Sequence, residues 1–334
     1  MSTAPDITTP LRGQAPHPRD AFDALQAHLN AQVLGQPALI ERILIGLLAD
    51  GHLLVEGAPG LAKTTAIKAL ARAIEADDHR IQFTPDLLPG DVTGTDVFEP
   101  ETAQFRFEPG PIFHNLVLAD EINRAPAKVQ SALLEAMAER QVTVGQRSYP
   151  LPELFLVMAT QNPIEQEGTY ALPEAQLDRF LMHVCVDHPG AEVEHRVLHL
   201  VRGQGAQAST PAFVPVSEAT ILAARREVEA VHVAPALEHY LVQLVLATRD
   251  PSRYIEALAD KVEWGSSPRG TIALDRCARA RAWLEGRDFV SPEDVLAVAP
   301  DVLRHRVLLS YRAQAEGMTS SDLVEQLTAA VPLP

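Results

Sequence analysis

The spacing of apolar positions changes along this chain from a helical period to short unbroken runs, and later back to a helical period. Apolar positions follow the 3.6-residue spacing over 21–30 and 36–50, which predicts two helices. The unbroken runs that come next are typical of strands buried on both faces, as in a parallel sheet covered by helices. These runs occupy 52–56, 80–84, 115–119, 154–159 and 180–186.

Helical patterns over 63–75 and 125–140 separate these runs and predict the crossover helices of an α/β domain. We therefore predict a doubly wound parallel sheet over 21–189. Helical spacing returns from Ser217, and the helix-start signal at 291–294 supports a small all-helical domain over 217–334. Proline-rich residues 1–20 are expected to be a disordered leader, and 190–216 a connector.

Charge and cysteine content limit the partners and the compartment. Twenty-eight basic and 44 acidic side chains give a net charge of −16, which on average repels nucleic acid and anionic membranes. A phosphate site must therefore be local. Two cysteines cannot form a disulfide framework, which favours a reducing cytoplasm. Because eighteen consecutive apolar residues occur nowhere, we expect no membrane span.

A glycine-containing loop stands between the first strand and a helix and reads Gly57-Ala58-Pro59-Gly60-Leu61-Ala62-Lys63-Thr64-Thr65. In such a loop the backbone N–H groups surround an anion and a lysine reaches the terminal phosphates, while a hydroxyl is offered to Mg²⁺. Lys63 and Thr64 are the candidates. Ala62 replaces the second glycine of the usual pattern, which costs nothing if that position is right-handed helical. A simple tight turn is the alternative.

Two adjacent carboxylates, Asp120 and Glu121, follow the apolar strand at 116–119. The carboxyl edge of a parallel sheet is where ligands bind, so Asp120 is placed to hold Mg²⁺ and Glu121 to polarise a water molecule. An ordinary exit from a strand is the alternative. Asn162, after the next strand, has an amide able to bond both that water and the γ-phosphate.

Two arginines are further candidates. Arg179 enters the last strand, where it would lie far from the phosphates of its own subunit, so we expect it to serve a neighbour's nucleotide. A surface salt bridge is the alternative. Arg269 lies in the first turn of a helix, where it could report loss of the γ-phosphate. Glu192, His195 and His199 share one helical face that could bind a metal, but no fourth ligand is evident, and a solvated helix face is the favoured alternative.

Together these motifs resemble those of AAA+ ATPases, and four longer segments resemble the MoxR family. The segments are RIQFTPDLLP at 80–89, DEINRAP at 120–126, ATQNP at 159–163 and LPEAQLDRF at 172–180. The resemblance covers the chain from about Val33 to its C-terminus. It implies a P-loop NTPase core with a parallel sheet, followed by a helical lid. It also implies two β-hairpin insertions within the core, one around 99–104 and one at 141–148.

The resemblance assigns a role to each candidate. Lys63 and Thr64 match Walker A, Asp120 and Glu121 match Walker B, and Asn162 matches sensor 1. Arg179 matches the arginine finger and Arg269 matches sensor 2. The expected nucleotide-binding residues are Val33, Gly35, Gln36, Gly57, Ala58, Pro59, Gly60, Leu61, Ala62, Lys63, Thr64 and Thr65, with Thr64 and Asp120 on the metal.

The function implied by the resemblance is ATP hydrolysis with Mg²⁺ in a cytoplasmic homo-oligomeric ring, usually a hexamer. In this family hydrolysis drives chaperone-like remodelling or maturation of a partner protein, which often carries a von Willebrand factor A domain. No nucleic acid is expected as a partner, and a DNA-translocating relative fits the acidic charge poorly. A small-molecule kinase using the same loop and a non-catalytic, nucleotide-gated scaffold are the alternatives.

Overall fold

The structure is a computed structural model that describes residues 17–58, 61, 63–162, 168–202 and 213–334. The strands of the described residues are β1 Leu53–Gly57, β2 Asp78–Gln82, β3 Gly94–Glu99, β4 Gln104–Pro109, β5 Leu116–Asp120, β6 Gln141–Val144, β7 Arg147–Pro150, β8 Leu156–Gln161, β9 Met182–Val186, β10 Val262–Trp264 and β11 Leu308–Leu309. Their α-helices are α1 Pro18–Gln32, α2 Pro37–Leu48, α3 Lys63–Ala73, α4 Pro89–Thr93, α5 Ala127–Glu139, α6 Glu174–Leu177, α7 Ala191–Val201, α8 Glu218–Glu229, α9 Pro235–Arg249, α10 Pro268–Leu284, α11 Pro292–Leu303, α12 Tyr311–Ala315 and α13 Ser320–Ala330.

Five parallel strands form the main sheet, in the order β2-β5-β8-β1-β9. The predicted α/β sheet is confirmed. β1 is first in the chain but lies between β8 and β9, so the loops after β1, β5 and β8 meet at one edge of the sheet, where ligands bind in this architecture. β2 begins and ends two residues earlier than predicted. It is the edge strand and mostly exposed, so its apolar pattern marks the strand weakly.

Helices cover both faces of the sheet, and the side chains of β1 show the division. Leu53 and Val55 pack into a core formed with α1, α2 and α3, whereas Leu54 packs into a second core on the side of α5. This alternation follows from the two-residue period of a strand. Because both faces are covered, the polar groups of this sheet are concentrated at the strand ends, where the candidate site lies.

The first helix begins inside the segment that was predicted to be a disordered leader. Pro18 occupies its first turn, and Phe22, Leu25 and Leu29 are buried. Arg19 donates hydrogen bonds to the carbonyl oxygens of Gly286 at 3.0 Å and Arg287 at 3.3 Å in the C-terminal domain. These contacts order the chain from residue 17, and residues 1–16 lie outside the described part.

The segment predicted as a connector, 190–216, contains the eleven-residue helix α7. Glu192 and Glu194 in its first turn and His199 in its last turn complement the helix dipole. The Gly- and Ala-rich stretch that suggested a connector begins only after this helix, and residues 203–212 lie outside the described part.

Two antiparallel hairpins leave the core at the predicted segments, β3 with β4 and β6 with β7. On the first hairpin the rings of Phe98 and Phe105 are 5.3 Å apart, and both side chains are at least half exposed. The two hairpins touch through Phe107 and Tyr149, whose rings stack at 3.9 Å. This stack ties the hairpins together while leaving the apolar tip of the first one uncovered.

Helices α8 to α13 form the C-terminal domain, as predicted, with α10 packed against α8, α9 and α11. The domain is not entirely helical, because β10 and β11 form a short antiparallel pair. Strands of three and two residues are too short for an alternating pattern to appear in the sequence. Within the described residues, we find no helix that is both long enough and apolar enough to cross a membrane.

A candidate nucleotide site at the sheet edge

A cavity of about 330 Å³ lies at the carboxyl edge of the sheet, beside the N-terminus of α3. Of the predicted residues, Leu61, Lys63, Thr64, Thr65, Asp120, Glu121 and Asn162 line it. Arg80, Thr160 and Gln161 also line it and were not singled out from the sequence. The residues that line the cavity come from four separate segments of the chain, which lie side by side because of the strand order.

Lys63 is the first residue of α3, and its Nζ donates to the carbonyl oxygen of Gly57 at 2.7 Å. Burial lowers the pKa of Lys63, while the carboxylates of Asp120 and Glu121 oppose that shift. At Gly57 a Cβ atom would come within 2.7 Å of the Val186 carbonyl oxygen, so only glycine fits there. The predicted loop residues Pro59, Gly60 and Ala62 lie outside the described residues.

The acidic pair is fixed by Thr160 at the end of β8, the strand next to β5. The Thr160 hydroxyl donates to Oδ1 of Asp120 at 2.5 Å and accepts the backbone N–H of Glu121 at 3.0 Å. Glu121 has left-handed backbone angles, φ 57° and ψ 50°, which are uncommon for a residue other than glycine. One buried hydroxyl therefore holds both the metal-binding candidate and a strained turn at the candidate general base.

Both carboxylates also accept bonds from β2 and from the turn that follows Glu121. Asp120 Oδ2 receives Nε and Nη2 of Arg80 at 3.0 and 2.6 Å. Oε2 of Glu121 receives Nε2 of Gln82 at 2.7 Å and Nε of Arg124 at 3.1 Å. Arg80 and Gln82 lie in the 80–89 segment that resembles the MoxR family. Their contacts with Asp120 and Glu121 could not be predicted from that segment, because they depend on the strand register that places Gln82 opposite Asp120.

Asn162 lies directly after β8, is buried, and lines the cavity. Its neighbour Gln161 points toward β1, donating to Oε2 of Glu56 at 2.7 Å. The same oxygen receives Nε2 of His183 at 2.8 Å, and this hydrogen bond from His183 holds the pKa of Glu56 below its usual value. The ends of β8, β1 and β9 are thus joined by side chains next to the cavity.

A larger cavity, of about 1050 Å³, lies between the core and the C-terminal domain and shares Gln161 and Asn162 with the first. It is lined by Glu56, His183 and Cys185 from the strand ends and by the exposed Trp264 from β10. Cys185 is exposed, although its strand is largely buried. Lys63, the hydroxyls of Thr64 and Thr65, and the acidic pair line only the smaller cavity. We call this smaller cavity the phosphate cavity.

The expected nucleotide-binding residues Val33, Gly35 and Gln36 lie between α1 and α2 and do not line the phosphate cavity. Val33 is buried, and Gln36 donates from Nε2 to the carbonyl oxygen of Asp187 at 3.1 Å, just after β9. Gly35 has φ +77°, and a Cβ there would come within 2.3 Å of Val193 on α7. This segment therefore packs against α7 and against the carboxyl end of β9, the strand that pairs with β1. Gly57 and Ala58 also do not line the phosphate cavity.

Neither predicted arginine lines the phosphate cavity. Arg179 donates from Nη1 to the carbonyl oxygen of Leu134 on α5 at 2.8 Å. The adjacent Asp178 accepts from Ser267 Oγ at 2.8 Å and from Arg306 Nε at 2.9 Å, both in the C-terminal domain. Arg269 is exposed, two residues beyond Ser267. The two arginines thus flank one hydrogen-bonded junction between the domains.

The metal hypothesis for α7 gains no support. Glu192, His195 and His199 lie on this helix, and the two histidine rings are 6.3 Å apart. Among the described residues, no three His, Cys, Asp or Glu side chains are grouped as metal ligands. By contrast, Thr64 and Asp120 in the phosphate cavity offer the hydroxyl and carboxylate oxygens that Mg²⁺ prefers when it also binds phosphates.

Comparisons with known proteins agree with this architecture. A family model described as "ATPase family associated with various cellular activities (AAA)" matches residues 52–182, and an AAA lid domain model matches residues 256–327. Chaperone MoxR1 of Mycobacterium tuberculosis is 45% identical over 303 residues, covering 90% of this chain and 79% of the relative. Protein MoxR of Paracoccus denitrificans is 37% identical over 338 residues, covering 94% and 96% of the two chains.

A crystal structure of a protein from Cytophaga hutchinsonii matches the fold with a TM-score of 0.86 at 44% identity, covering 95% of this chain and 96% of that one. The fold is therefore shared with this protein across most of the chain. The chain belongs to the MoxR family of AAA+ ATPases.

Proposed function

We propose that this protein hydrolyses ATP with Mg²⁺ at the phosphate cavity and uses the energy to remodel or mature a partner protein. The observation that carries the proposal is the meeting of Lys63, Thr64, Asp120, Glu121 and Asn162 around one cavity. A lysine, a hydroxyl, two carboxylates and an amide at the end of a P-loop are the groups that phosphoryl transfer to water requires.

Each side chain has a role that fits its position. Lys63, at the positive end of α3, binds the terminal phosphates, and Asn162 orients the attacking water against the γ-phosphate. Thr64 and Asp120 would hold Mg²⁺, which when bound supplies positive charge to the phosphate oxygens. Glu121 polarises the water; its strained turn, held by Thr160, fixes the carboxylate direction.

The two arginines complete the site of a neighbouring subunit in this proposal. Arg179 and Arg269 flank the Asp178–Ser267 junction, and neither lines the phosphate cavity of its own chain. In a ring, head-to-tail contacts repeat one interface, so a residue remote from its own site can serve the next one. We accordingly propose that both arginines act across subunits, in a ring that is required for turnover.

Mixing two inactive variants tests this arrangement. Subunits with Glu121→Gln and subunits with Arg179→Ala are each expected to be inactive, but a 1:1 mixture is expected to regain up to about a quarter of wild-type phosphate release, because random neighbours complete about one interface in four. The matched control mixes Glu121→Gln with Lys63→Ala. Both of these lesions lie in the same half of the site, so no interface is complete and the control mixture stays inactive.

Absence of recovery in the first mixture would contradict catalysis between subunits, and a wild-type protein without steady-state phosphate release would favour the scaffold alternative. A small-molecule kinase would release no phosphate without an acceptor and would need no neighbouring subunit.

The client, whether or not it carries a von Willebrand factor A domain, is sought among proteins that copurify with ATP-bound Glu121→Gln. The hexameric ring and the cytoplasmic location stay predictions.

A further inference from the structure

Arg80 is the one cationic side chain besides Lys63 that lines the phosphate cavity of the described chain, and it is bound to the metal-binding candidate. Two of its nitrogens, Nε and Nη2, donate to the same oxygen of Asp120 at 3.0 and 2.6 Å. The Arg80 side chain is 47% exposed, whereas that of Asp120 is 14% exposed. Arg80 therefore approaches from the solvent side of a largely enclosed carboxylate and has room to move away.

Gln82 extends this contact to the candidate general base. Nη2 of Arg80 donates to Oε1 of Gln82 at 2.8 Å, and Nε2 of Gln82 donates to Oε2 of Glu121 at 2.7 Å. Because the amide oxygen accepts from Arg80, the amide nitrogen must face Glu121. A continuous chain of hydrogen bonds thus links Asp120 to Glu121, with Arg80 donating to both Asp120 and Gln82, and Gln82 donating to Glu121.

The positive charge of Arg80 offsets the negative charge of Asp120. Asp120 and Glu121 are adjacent carboxylates at a cavity that, by the proposed function, receives a triphosphate, and like charges at close range repel strongly where water is scarce. Lys63 is directed to the Gly57 carbonyl oxygen, so its charge is aimed at the loop. Arg80 is the cation that lies directly on Asp120, whereas Arg124 pairs with Glu121.

We propose that Arg80 is a positioning residue that neutralises Asp120 until a divalent metal arrives with the nucleotide, and then leaves that oxygen. Arg80 and the metal compete for Oδ2 of Asp120. When Arg80 withdraws, Gln82 loses the hydrogen bond that it accepts from Arg80, whereas Glu121 keeps its contacts with Gln82 and Arg124. This inference rests on the proposed function and adds to it a competition between Arg80 and the metal for Asp120.

Two opposite effects follow from removing Arg80. Without a metal, the Asp120 carboxylate of Arg80→Ala has no counter-charge and repels the phosphates, so ADP binds more weakly than to wild type. With Mn²⁺, no side chain competes for Asp120, so the metal binds more tightly. The ratio of the ADP dissociation constants measured without and with Mn²⁺ is expected to rise about tenfold, a change typical of losing one charge-assisted contact.

The experiment measures ADP affinity by calorimetry in EDTA and in Mn²⁺, and Mn²⁺ occupancy by electron paramagnetic resonance, on the full chain. Arg80→Lys keeps one positive charge and is expected to restore most of the wild-type ratio. Arg72→Ala, an exposed position near the far end of α3, is the control for loss of one charge. Gln82→Ala leaves Arg80 on Asp120 and is expected to leave the ratio unchanged.

An unchanged ratio in folded Arg80→Ala, or an equal change in Arg72→Ala, would overturn the inference while leaving the proposed function standing. Failure of the wild type to bind ADP under either condition would instead overturn the proposed function, and the inference with it. If Arg80→Ala does not fold, Arg80→Gln is measured in its place, and the same ratio decides.

Discussion

At the scale of single residues, the site depends on a side chain that does no chemistry itself. Thr160 is almost fully buried, yet its hydroxyl donates to Asp120 and accepts from the backbone of Glu121. A left-handed, non-glycine residue costs of order 1 kcal/mol and persists only where its surroundings hold it. The Thr160 hydroxyl holds the backbone of Glu121 in this conformation.

Replacing Thr160 with valine, which has nearly the same shape, is expected to lower kcat by about 10- to 100-fold, because Asp120 and Glu121 lose their shared anchor. The free energy of unfolding should fall by about 1–3 kcal/mol, since the partly buried backbone N–H of Glu121 is left without its acceptor. Phosphate-release kinetics and denaturant unfolding measure the two effects. Thr143→Val, at an exposed position on β6, is the control and should change neither by much; an equal loss of kcat there would contradict the anchoring role.

At the scale of elements, His52 joins the main sheet to the helix behind it. Its Nδ1 accepts the backbone N–H of Val157 on β8 at 3.0 Å, and its Nε2 lies 3.3 Å from the carbonyl oxygen of Met137 on α5. Only the neutral ring with its proton on Nε2 satisfies both. Burial lowers the pKa of His52 to about 4.

This predicts a loss of stability in acid. Between the ordinary pKa of 6.5 and the folded value of about 4, the unfolded chain binds the proton that the folded chain refuses, so stability falls as the pH drops through this range. We expect His52 to contribute about 1–3 kcal/mol of this fall. Urea unfolding from pH 7 to pH 4 measures it. His52→Gln should flatten the profile and His239→Gln, at an exposed position, should not; parallel profiles for His52→Gln and wild type would contradict the assignment.

No residue of the hairpin β3–β4 lines the phosphate cavity. Its tip exposes Phe98 and Phe105 and lies outside the lining of the phosphate cavity. Replacing residues 99–104 with a two-residue Asn-Gly turn should keep basal ATPase activity but uncouple it from the partner. Basal phosphate release and partner recovery measure the two properties. Phe98→Ser with Phe105→Ser is the variant that keeps the backbone, and loss of nucleotide binding in either variant would make the hairpin structural.

At the scale of the whole molecule, one buried ion pair fastens the lid domain to the core. Arg306 is buried and donates to Asp178, to the carbonyl oxygens of Phe180 and Leu181, and to that of Val302. Burial lowers the pKa of Arg306, and Asp178 opposes the shift. The same aspartate binds Ser267 beside Arg269, so this pair also fixes the position of both candidate arginines.

Asp178→Asn is therefore expected to cost about 2–4 kcal/mol of stability, because it leaves a buried guanidinium without its counter-charge. Asp260→Asn breaks an exposed pair with Arg312 and is the matched control, with an expected cost below about 1 kcal/mol. Guanidinium-induced unfolding compares them. Equal costs for the two substitutions would contradict the fastening role of Arg306 and Asp178.

The sequence was most informative where a pattern is local. Unbroken apolar runs predicted the parallel strands, and the polar residues that follow β1, β5 and β8 predicted the residues that line the phosphate cavity. Thr160 and Arg80 were missed because their partners depend on strand register. The Asp178–Arg306 contact joins residues 128 positions apart, which no local pattern encodes. The pair β10–β11 was missed because each strand is too short to show a period.

The central claim is that turnover requires a second subunit. The most direct test measures phosphate release per chain across a range of protein concentrations, with the mass of the particles recorded at each concentration. We expect activity per chain to rise as rings assemble and to become constant once assembly is complete. A protein that stays a single subunit at every concentration, with or without nucleotide, and still hydrolyses ATP at its full rate would contradict the account.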